Sequence, residues 1–342
     1  MTKWFHGVLS LLLLIVAARP ADAQQEGKIS GYMFGDYYYV AADHVPAFEK
    51  QNGFWFRRVY VTYDKGLSPE FTTRFRIEMN SPGDFGATSI KLTPIVKDAY
   101  VKWTRTRQNI LFGMSASPTW EVVERIWGYR SVEKTPLDLQ RMGGSRDFGI
   151  AFQGAVDPNK KLNYHFMFGN GSDTGSEVDK EKKVYLSLTA APVKGLTIEA
   201  YTDWEGRPAD KDRYVFQGFI SYERPDFRAG AQIAQQTRKS GTTAPDTKLR
   251  LASVFAAGKL APKAWALVRF DRTFDLNPDG NKIPYIPFAT NAKSSLFIVG
   301  LDLLPVKDVH IIPNIEAVVY GSAVGPKPGN DTIPRLTLYY TF

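Results

Sequence analysis

The sequence predicts an all-β protein, namely a transmembrane antiparallel β-barrel of about sixteen strands. Three observations support this class: an aromatic-rich composition without cysteine, a regular alternation of short and long connections, and a last strand that ends in phenylalanine. The 342 residues include 17 Tyr, 22 Phe and no Cys, and the mean hydropathy is negative. This composition is typical of a membrane barrel, because only every second residue of a strand faces lipid.

The first 23 residues are predicted to be a cleaved signal peptide, which leaves residues 24–342 as a single barrel domain. Lys3 supplies the positive charge, Leu9 to Ala18 form a short apolar core, and Ala21-Asp22-Ala23 is a small-x-small cleavage site. The apolar run is about half of the roughly 20 residues that a membrane helix needs. We therefore expect export rather than a helical anchor.

The end of the chain alternates between two faces. Leu336, Leu338, Tyr340 and Phe342 lie on one face, and polar or charged residues lie between them. This pattern is similar to the closing strand of bacterial outer-membrane proteins, which the barrel assembly machinery recognises. We therefore expect that machinery to be a partner, through the strand ending in Phe342; an ordinary edge strand is the alternative.

Sixteen strands can be placed along the chain. They are predicted at 27–40, 53–64, 69–80, 95–105, 108–114, 145–156, 160–170, 182–190, 195–205, 212–223, 226–237, 247–258, 262–272, 294–304, 308–320 and 332–342. Links after even-numbered strands are short and rich in turn formers, such as Asp157-Pro158-Asn159, whereas most others are long. Both termini should then lie on the periplasmic side. Fourteen or eighteen strands remain alternatives, because strand boundaries are hard to predict.

The period-two pattern assigns the faces. In the third strand, Phe71, Phe75 and Ile77 alternate with Arg74 and Arg76. A charged side chain in hydrocarbon costs about 2–4 kcal/mol, so the charged face should be the lumen. A barrel of about sixteen strands is too wide for side chains to fill, and the sequence therefore predicts an aqueous channel.

The third long connection, residues 115–144, is predicted to fold into the lumen and narrow it. Val122, Val123, Ile126 and Trp127 form an amphipathic stretch whose apolar side needs a partner. An external cap or a contact between subunits is the alternative.

Nine cationic side chains are predicted to line or constrict the lumen. They are Arg58, Arg74, Arg76, Lys102, Arg250 and Arg269 from the strands, and Arg125, Arg130 and Arg141 from the third loop. Rings of Arg or Lys favour anions in narrow pores. The alternative is a weakly selective wall in which the cations pair with Glu78, Asp98, Asp271 and Glu316.

Several short segments resemble the phosphate-selective porin O and P family of bacterial outer-membrane porins. They are 109–114 (NILFGM) followed by Pro118, 146–154 (RDFGIAFQG), 56–59 (FRRV) and the closing strand. The resemblance implies a sixteen-stranded outer-membrane channel, assembled as a homotrimer, that passes small hydrophilic solutes and in some members phosphate. Because the third loop also carries Glu121, Glu124 and Glu133, phosphate selectivity is not carried over to this chain.

Other function classes find little support. Beyond the signal peptide the chain has only His44, His165 and His310, none at a recognisable motif spacing from a Ser or acidic residue, so no enzyme and no cofactor are predicted. The run 275–280 (DLNPDG) matches only half of a calcium loop and is expected to be a polar loop, so no metal is predicted. A structural or adhesive barrel with a plugged lumen is the alternative function.

The expected surroundings are outer-membrane lipid and lipopolysaccharide. An acidic fourth loop with Asp173, Glu177, Asp179 and Glu181 is expected to be solvated rather than to bind bridging cations. The net charge of +8 indicates only that anionic solutes are tolerated, and no nucleic-acid partner is expected.

Overall fold

Sixteen antiparallel strands form one closed barrel in the computed structural model, which describes residues 26–86 and 91–342. The strands are β1 Lys28–Tyr39, β2 Asn52–Gly66, β3 Phe71–Asn80, β4 Thr93–Arg105, β5 Gln108–Ala116, β6 Arg146–Ala155, β7 Leu162–Gly169, β8 Lys183–Ala190, β9 Leu196–Glu205, β10 Arg213–Arg224, β11 Phe227–Arg238, β12 Thr247–Ala261, β13 Ala264–Thr273, β14 Ala292–Leu303, β15 Val309–Ala323 and β16 Asp331–Thr341. Each strand pairs with its neighbours in sequence, and β1 closes the barrel on β16.

The predicted fold class and strand count are confirmed, whereas the predicted signal peptide lies outside the described residues. Short turns gather at one end of the barrel, which we call the short-turn end, and the other is the long-loop end. Three long-loop connections matter below: loop 1 (residues 40–51), loop 3 (117–145) and loop 7 (274–291). Loop 3 carries two short helices, α1 Glu121–Trp127 and α2 Pro136–Leu139. No helix in the described ranges is long and apolar enough to cross a membrane.

The outer face of the barrel is apolar, as expected for a surface in lipid. On β14, for example, Phe297 and Val299 are about half exposed on the outside. Exposed aromatic and aliphatic side chains recur around the wall, including Phe75 on β3 and Ile233 on β11. A soluble monomer rarely shows so much contiguous apolar surface.

The lumen is divided into two unequal parts by loops 3 and 7. On the side of β10–β16, an apolar cluster of inward side chains packs under these loops among buried polar and charged ones, and we call this the covered wall. Its buried cluster joins Trp127 and Val132 of loop 3 and Ile286 and Phe288 of loop 7 to strand residues including Phe219, Phe255, Leu267, Leu296, Ile298, Val318 and Ile333. On the side of β2–β6, the inward side chains are mostly charged or polar, and we call this the open wall.

Loop 3 holds its shape through local hydrogen bonds. Helix α1 ends at Gly128, whose φ of 68° is the left-handed conformation typical of a helix C-terminus, and its N–H donates to the Glu124 carbonyl at 2.9 Å. Trp127 Nε1 donates to the Glu133 carbonyl at 2.9 Å and thereby closes the following turn. The apolar residues of α1 are thus presented to the covered wall.

Candidate functional site

The candidate site is a cavity of about 560 Å³ inside the barrel, between the open wall and loop 3. Charged side chains dominate its lining. Six are cationic, namely Arg74, Arg76, Lys102, Arg125, Arg130 and Arg146, and three are anionic, namely Asp98, Glu121 and Glu124. A polar cavity of this size can hold water and small solutes.

Carboxylates on the open wall pair with its cations and neutralise part of their charge. Asp98 accepts from Arg146 at 2.5 Å and lies 3.3 Å from Arg76. Arg74 forms a two-point contact with Asp64, at 2.7 and 2.9 Å. Further toward the long-loop end, Glu78 is shared by Arg58 and Lys97. These side chains lie side by side because they alternate along β2, β3 and β4, whose register pairs Asp64 with Arg74 and Arg76 with Asp98.

Loop 3 contributes two of the three carboxylates of the cavity, Glu121 and Glu124, together with Arg125 and Arg130. Glu124 lies 3.3 Å from Arg130, which also lies 3.5 Å from Asp138 of α2. Glu121 faces His165 of β7 at 3.3 Å. Burial raises the pKa of Glu124. Burial acts in the same direction on Glu121, but the neighbouring His165 lowers the pKa of Glu121 below its usual range.

Loop 3 is anchored inside the barrel by buried charges. Arg57 of β2 donates to the Val132 carbonyl and lies 3.4 Å from Glu133. Arg269 of β13 donates to the Lys134 carbonyl and lies 2.5 Å from Asp271. The loop therefore spans the lumen from the β2 side to the β13 side.

Six of the nine predicted cations lie at or beside the cavity. Arg74, Arg76, Lys102, Arg125 and Arg130 line it, and Arg58 lies deeper along the open wall against Glu78. Three carboxylates of the paired alternative contact predicted cations: Glu78 with Arg58, Asp98 with Arg76, and Asp271 with Arg269. Glu316 instead lies 3.5 Å from Arg335, which is not among the nine.

Three predicted residues lie elsewhere. Arg250 does not face the lumen: Leu249 and Leu251 on either side of it are buried, while Arg250 lies on the outer face and contacts Asp275 at 2.7 Å. Arg269 faces the lumen but is buried beneath loop 3. Arg141 is exposed and donates to the Lys282 carbonyl of loop 7 at 3.3 Å.

Arg146, Lys97 and Arg57 were not predicted as site residues, and each lies where strict alternation fails. Arg57 and Lys97 are the extra residues of β-bulges, at the register shifts of the β1–β2 and β3–β4 pairs. Arg146 is the first residue of β6, where its side chain reaches inward to Asp98. A bulge re-aims a side chain, and a sequence pattern of period two cannot locate it.

The run 275–280 behaves as a polar loop. Asp275 contacts Arg250, and Asp279 contacts Arg238 and Lys282 at 2.6 and 2.9 Å. Asn277 donates to the Gln140 carbonyl at 3.0 Å and so ties loop 7 to loop 3. These acidic side chains are engaged by cations of the chain itself.

Comparison with known proteins finds likeness in structure but not in sequence. No family model matches the chain, and no curated protein matches it. Among solved structures, the outer-membrane channel DcaP of Acinetobacter baumannii is 13% identical with a TM-score of 0.64, covering 93% of this chain and 97% of that chain. An anion-selective porin from Comamonas acidovorans is 12% identical with a TM-score of 0.65, covering 93% of this chain and 99% of that chain. OmpF of Salmonella typhi, in complex with daunomycin, is 11% identical with a TM-score of 0.65, covering 94% of this chain and 100% of that chain. At these identities the likeness establishes the fold: this chain is a sixteen-stranded barrel of the architecture found in porins.

Proposed function

We propose that this protein is a porin of a bacterial outer membrane, which lets small hydrophilic solutes diffuse through its lumen. The observation that carries the proposal is the charged cavity between the open wall and loop 3, inside a barrel with an apolar outer face. The structural likeness to porins supports the same function. Loop 3 then forms the constriction and contributes charges of both signs, opposite a wall on which cations outnumber Asp98.

We further propose a moderate preference for anions. The six cations of the lining exceed its three carboxylates, and a net positive wall at a narrow point attracts anions. Because Asp98 and Asp64 neutralise part of the wall, the preference should be weaker than in a fully unpaired arginine ring. Phosphate is one candidate solute, supported only by the resemblance of short segments.

The test is single-channel recording in a planar bilayer with a potassium chloride gradient. Discrete current steps with an anion-biased reversal potential are expected, and Arg76→Gln with Arg146→Gln should shift that potential toward zero. Arg272→Gln, on the outer face of β13, is the matched control and should leave it unchanged. Absence of steps from folded, inserted protein would overturn the channel, and steps without ion bias would overturn the anion preference.

A plugged barrel is the second candidate, because loops 3 and 7 and the covered wall fill much of the lumen with apolar side chains. Such a barrel would insert and remain folded without conducting. Removing an anchor of loop 3 would then create conductance rather than enlarge it. The same recordings therefore separate the two functions.

Three partners are proposed: lipopolysaccharide, the barrel assembly machinery and two further copies of this chain. Arg250 and Lys293 lie at an apolar groove of about 820 Å³ on the outer wall of β8–β12, which fits the phosphate and acyl chains of lipopolysaccharide. The main chain of Phe342 pairs with Gly31 in both directions at 2.9 Å, so the final residue closes the barrel seam where the assembly machinery would act. A homotrimer is supported by the trimeric form recorded for a structural neighbour, OmpT of Vibrio cholerae.

A further inference from the structure

Loop 1 and the start of β16 bring two carboxylates and one imidazole together at the long-loop end of the barrel. Asp43 and His44 belong to loop 1, and Asp331 is the first residue of β16. The side chains of Asp43 and Asp331 are essentially buried, and that of His44 is 11% exposed. The cluster therefore lies in the protein interior at the long-loop end of the barrel rather than on a solvated surface.

The distances suit a metal ion. His44 Nδ1 lies 3.0 Å from Asp331 Oδ1 and 3.5 Å from Asp43 Oδ1, and one donor atom from each of the three residues lies within 4.8 Å of the other two. An ion held about 2.0–2.2 Å from nitrogen and oxygen ligands separates adjacent ligands by roughly 3.0–3.5 Å. Both distances from the His44 nitrogen to the carboxylate oxygens match that spacing.

The charge balance also calls for a cation. Within residues 26–86 and 91–342, no Lys or Arg forms an ion pair with Asp43 or Asp331. A protonated His44 would supply one positive charge against two buried carboxylates, and the remaining charge would be costly. A divalent ion bound by neutral His44 balances both carboxylates.

One acceptor of the cluster is unused. Asp43 Oδ2 is buried and, among the described residues, has no hydrogen-bond partner, whereas its Oδ1 accepts from the Val45 N–H at 2.7 Å. A buried carboxylate oxygen without a donor is uncommon and points to a missing ligand.

The surrounding groups hold the donors in place. Tyr320 of β15 donates its hydroxyl to Asp331 Oδ2 at 2.5 Å, and the His44 backbone N–H donates to Asp331 Oδ1 at 2.6 Å. The Ala289 N–H of loop 7 donates in turn to the Tyr320 hydroxyl at 3.0 Å. Hydrogen bonds of this kind orient metal ligands and tune their affinity.

We propose that Asp43, His44 and Asp331 form a site for a divalent transition-metal ion of the Zn²⁺ class. The imidazole donor favours such an ion over Ca²⁺ or Mg²⁺, which prefer oxygen ligands alone. A bound ion would connect loop 1 to β16 through its ligands, next to the seam where β1 and β16 close the barrel. This site lies apart from the cavity and does not depend on the proposed channel.

The test uses untagged, folded, chelator-stripped protein in detergent, titrated with Zn²⁺ by calorimetry. One Zn²⁺ per chain is expected, Co²⁺ should give visible absorption bands, and equal concentrations of Ca²⁺ or Mg²⁺ should not compete. The double variant Asp43→Asn with His44→Gln should lose binding, and Tyr320→Phe should weaken it about 10–100-fold. Zn²⁺ should also raise the thermal midpoint of unfolding of the wild type but not of the double variant.

The matched control is His310→Gln at the short-turn end. His310 Nδ1 lies 2.8 Å from Asp302 and, within the described part of the chain, forms an ion pair with no second carboxylate, so its loss should leave the titration unchanged. Absence of Zn²⁺ binding to folded wild type would overturn the proposal, as would equal affinity in the double variant. Ca²⁺ binding as tight as Zn²⁺ binding would overturn the assignment of ion class.

Discussion

On the open wall, Arg76 and Arg146 share Asp98 beside a cavity, whereas on the covered wall Arg269 and Asp271 lie buried beneath loop 3. Apart from Arg146 and the two bulges, both walls follow the same alternation of inward and outward side chains. They differ in what faces the inward side chains: on one wall water can reach them, and on the other two loops pack against them. The open-wall cations that line the cavity are therefore available to solutes, while the buried charges of the covered wall hold structure.

The largest expected effect comes from Trp127, the main contact between loop 3 and the covered wall. It is 1% exposed, packs edge-to-face on Phe255 at 5.3 Å, and lies 5.3 Å from the Arg269 guanidinium. Trp127→Ala should destabilise the docked loop by about 3–5 kcal/mol. Single-channel conductance should rise, and thermal unfolding followed by circular dichroism should begin at lower temperature.

The control is Trp103→Ala, because Trp103 lies at the short-turn end of the wall and contacts Glu70 rather than the loops. It should leave conductance unchanged. Equal conductance in Trp127→Ala and wild type would show that the loop is held by other contacts and would weaken the distinction between the walls.

The next effect compares one ion pair from each wall. Arg269→Ala leaves Asp271 buried without its partner and removes a donor from the Lys134 carbonyl, so it should cost about 3–5 kcal/mol. Arg74→Ala removes a pair that is about one-third exposed, with side-chain exposures of 32% and 38%, and should cost about 0–1 kcal/mol. Urea-induced unfolding of both variants in detergent measures the difference, and similar losses would contradict the comparison.

How much the sequence predicts differs between the two walls. On β3, charges mark the inward face, so alternation predicts the face of Arg74 and Arg76, and both side chains line the cavity. Along β14 of the covered wall both faces are apolar at these positions: Leu296 and Ile298 point inward while Phe297 and Val299 point outward. Hydropathy alone cannot distinguish the two faces there, because loops that are distant in sequence pack on the inward side chains and exclude water from them.

Ion pairs and bulges set a second limit on sequence-based prediction. The sequence names the cations and carboxylates of the lumen but does not pair them, because pairing depends on register between strands. The register of β3 against β4 shifts at Lys97, and that shift turns Lys97 toward Glu78. A barrel with sixteen strands is predictable from repeated local patterns, whereas a cavity lining depends on single irregular positions.

A smaller effect concerns acidity at the loop side of the cavity. Because burial raises the pKa of Glu124, this carboxylate takes up a proton at higher pH than an ordinary Glu. Lowering the pH from about 7 to about 5 should therefore remove negative charge from loop 3 and increase the anion preference. Reversal potentials recorded across that pH range measure the change. In Glu124→Gln, the anion preference should be high at both pH values and should depend less on pH. Glu121 should contribute less, since its pKa is lowered.

The smallest expected effect on the reversal potential is that of Arg250→Gln. This variant tests whether Arg250 lies on the inner or the outer face of β12. If charge alone marked the lumen, removing this cation would reduce the anion preference as removal of Arg76 does. Because Arg250 instead lies outside the barrel, beside Gln235 of the neighbouring strand and against Asp275, the reversal potential should not change. A shift as large as that of Arg76→Gln would place Arg250 in the conduction path and would reverse the assignment of faces on β12. An unchanged potential would show that a charge near the long-loop end of a strand can face outward, where alternation with buried Leu249 and Leu251 decides its direction.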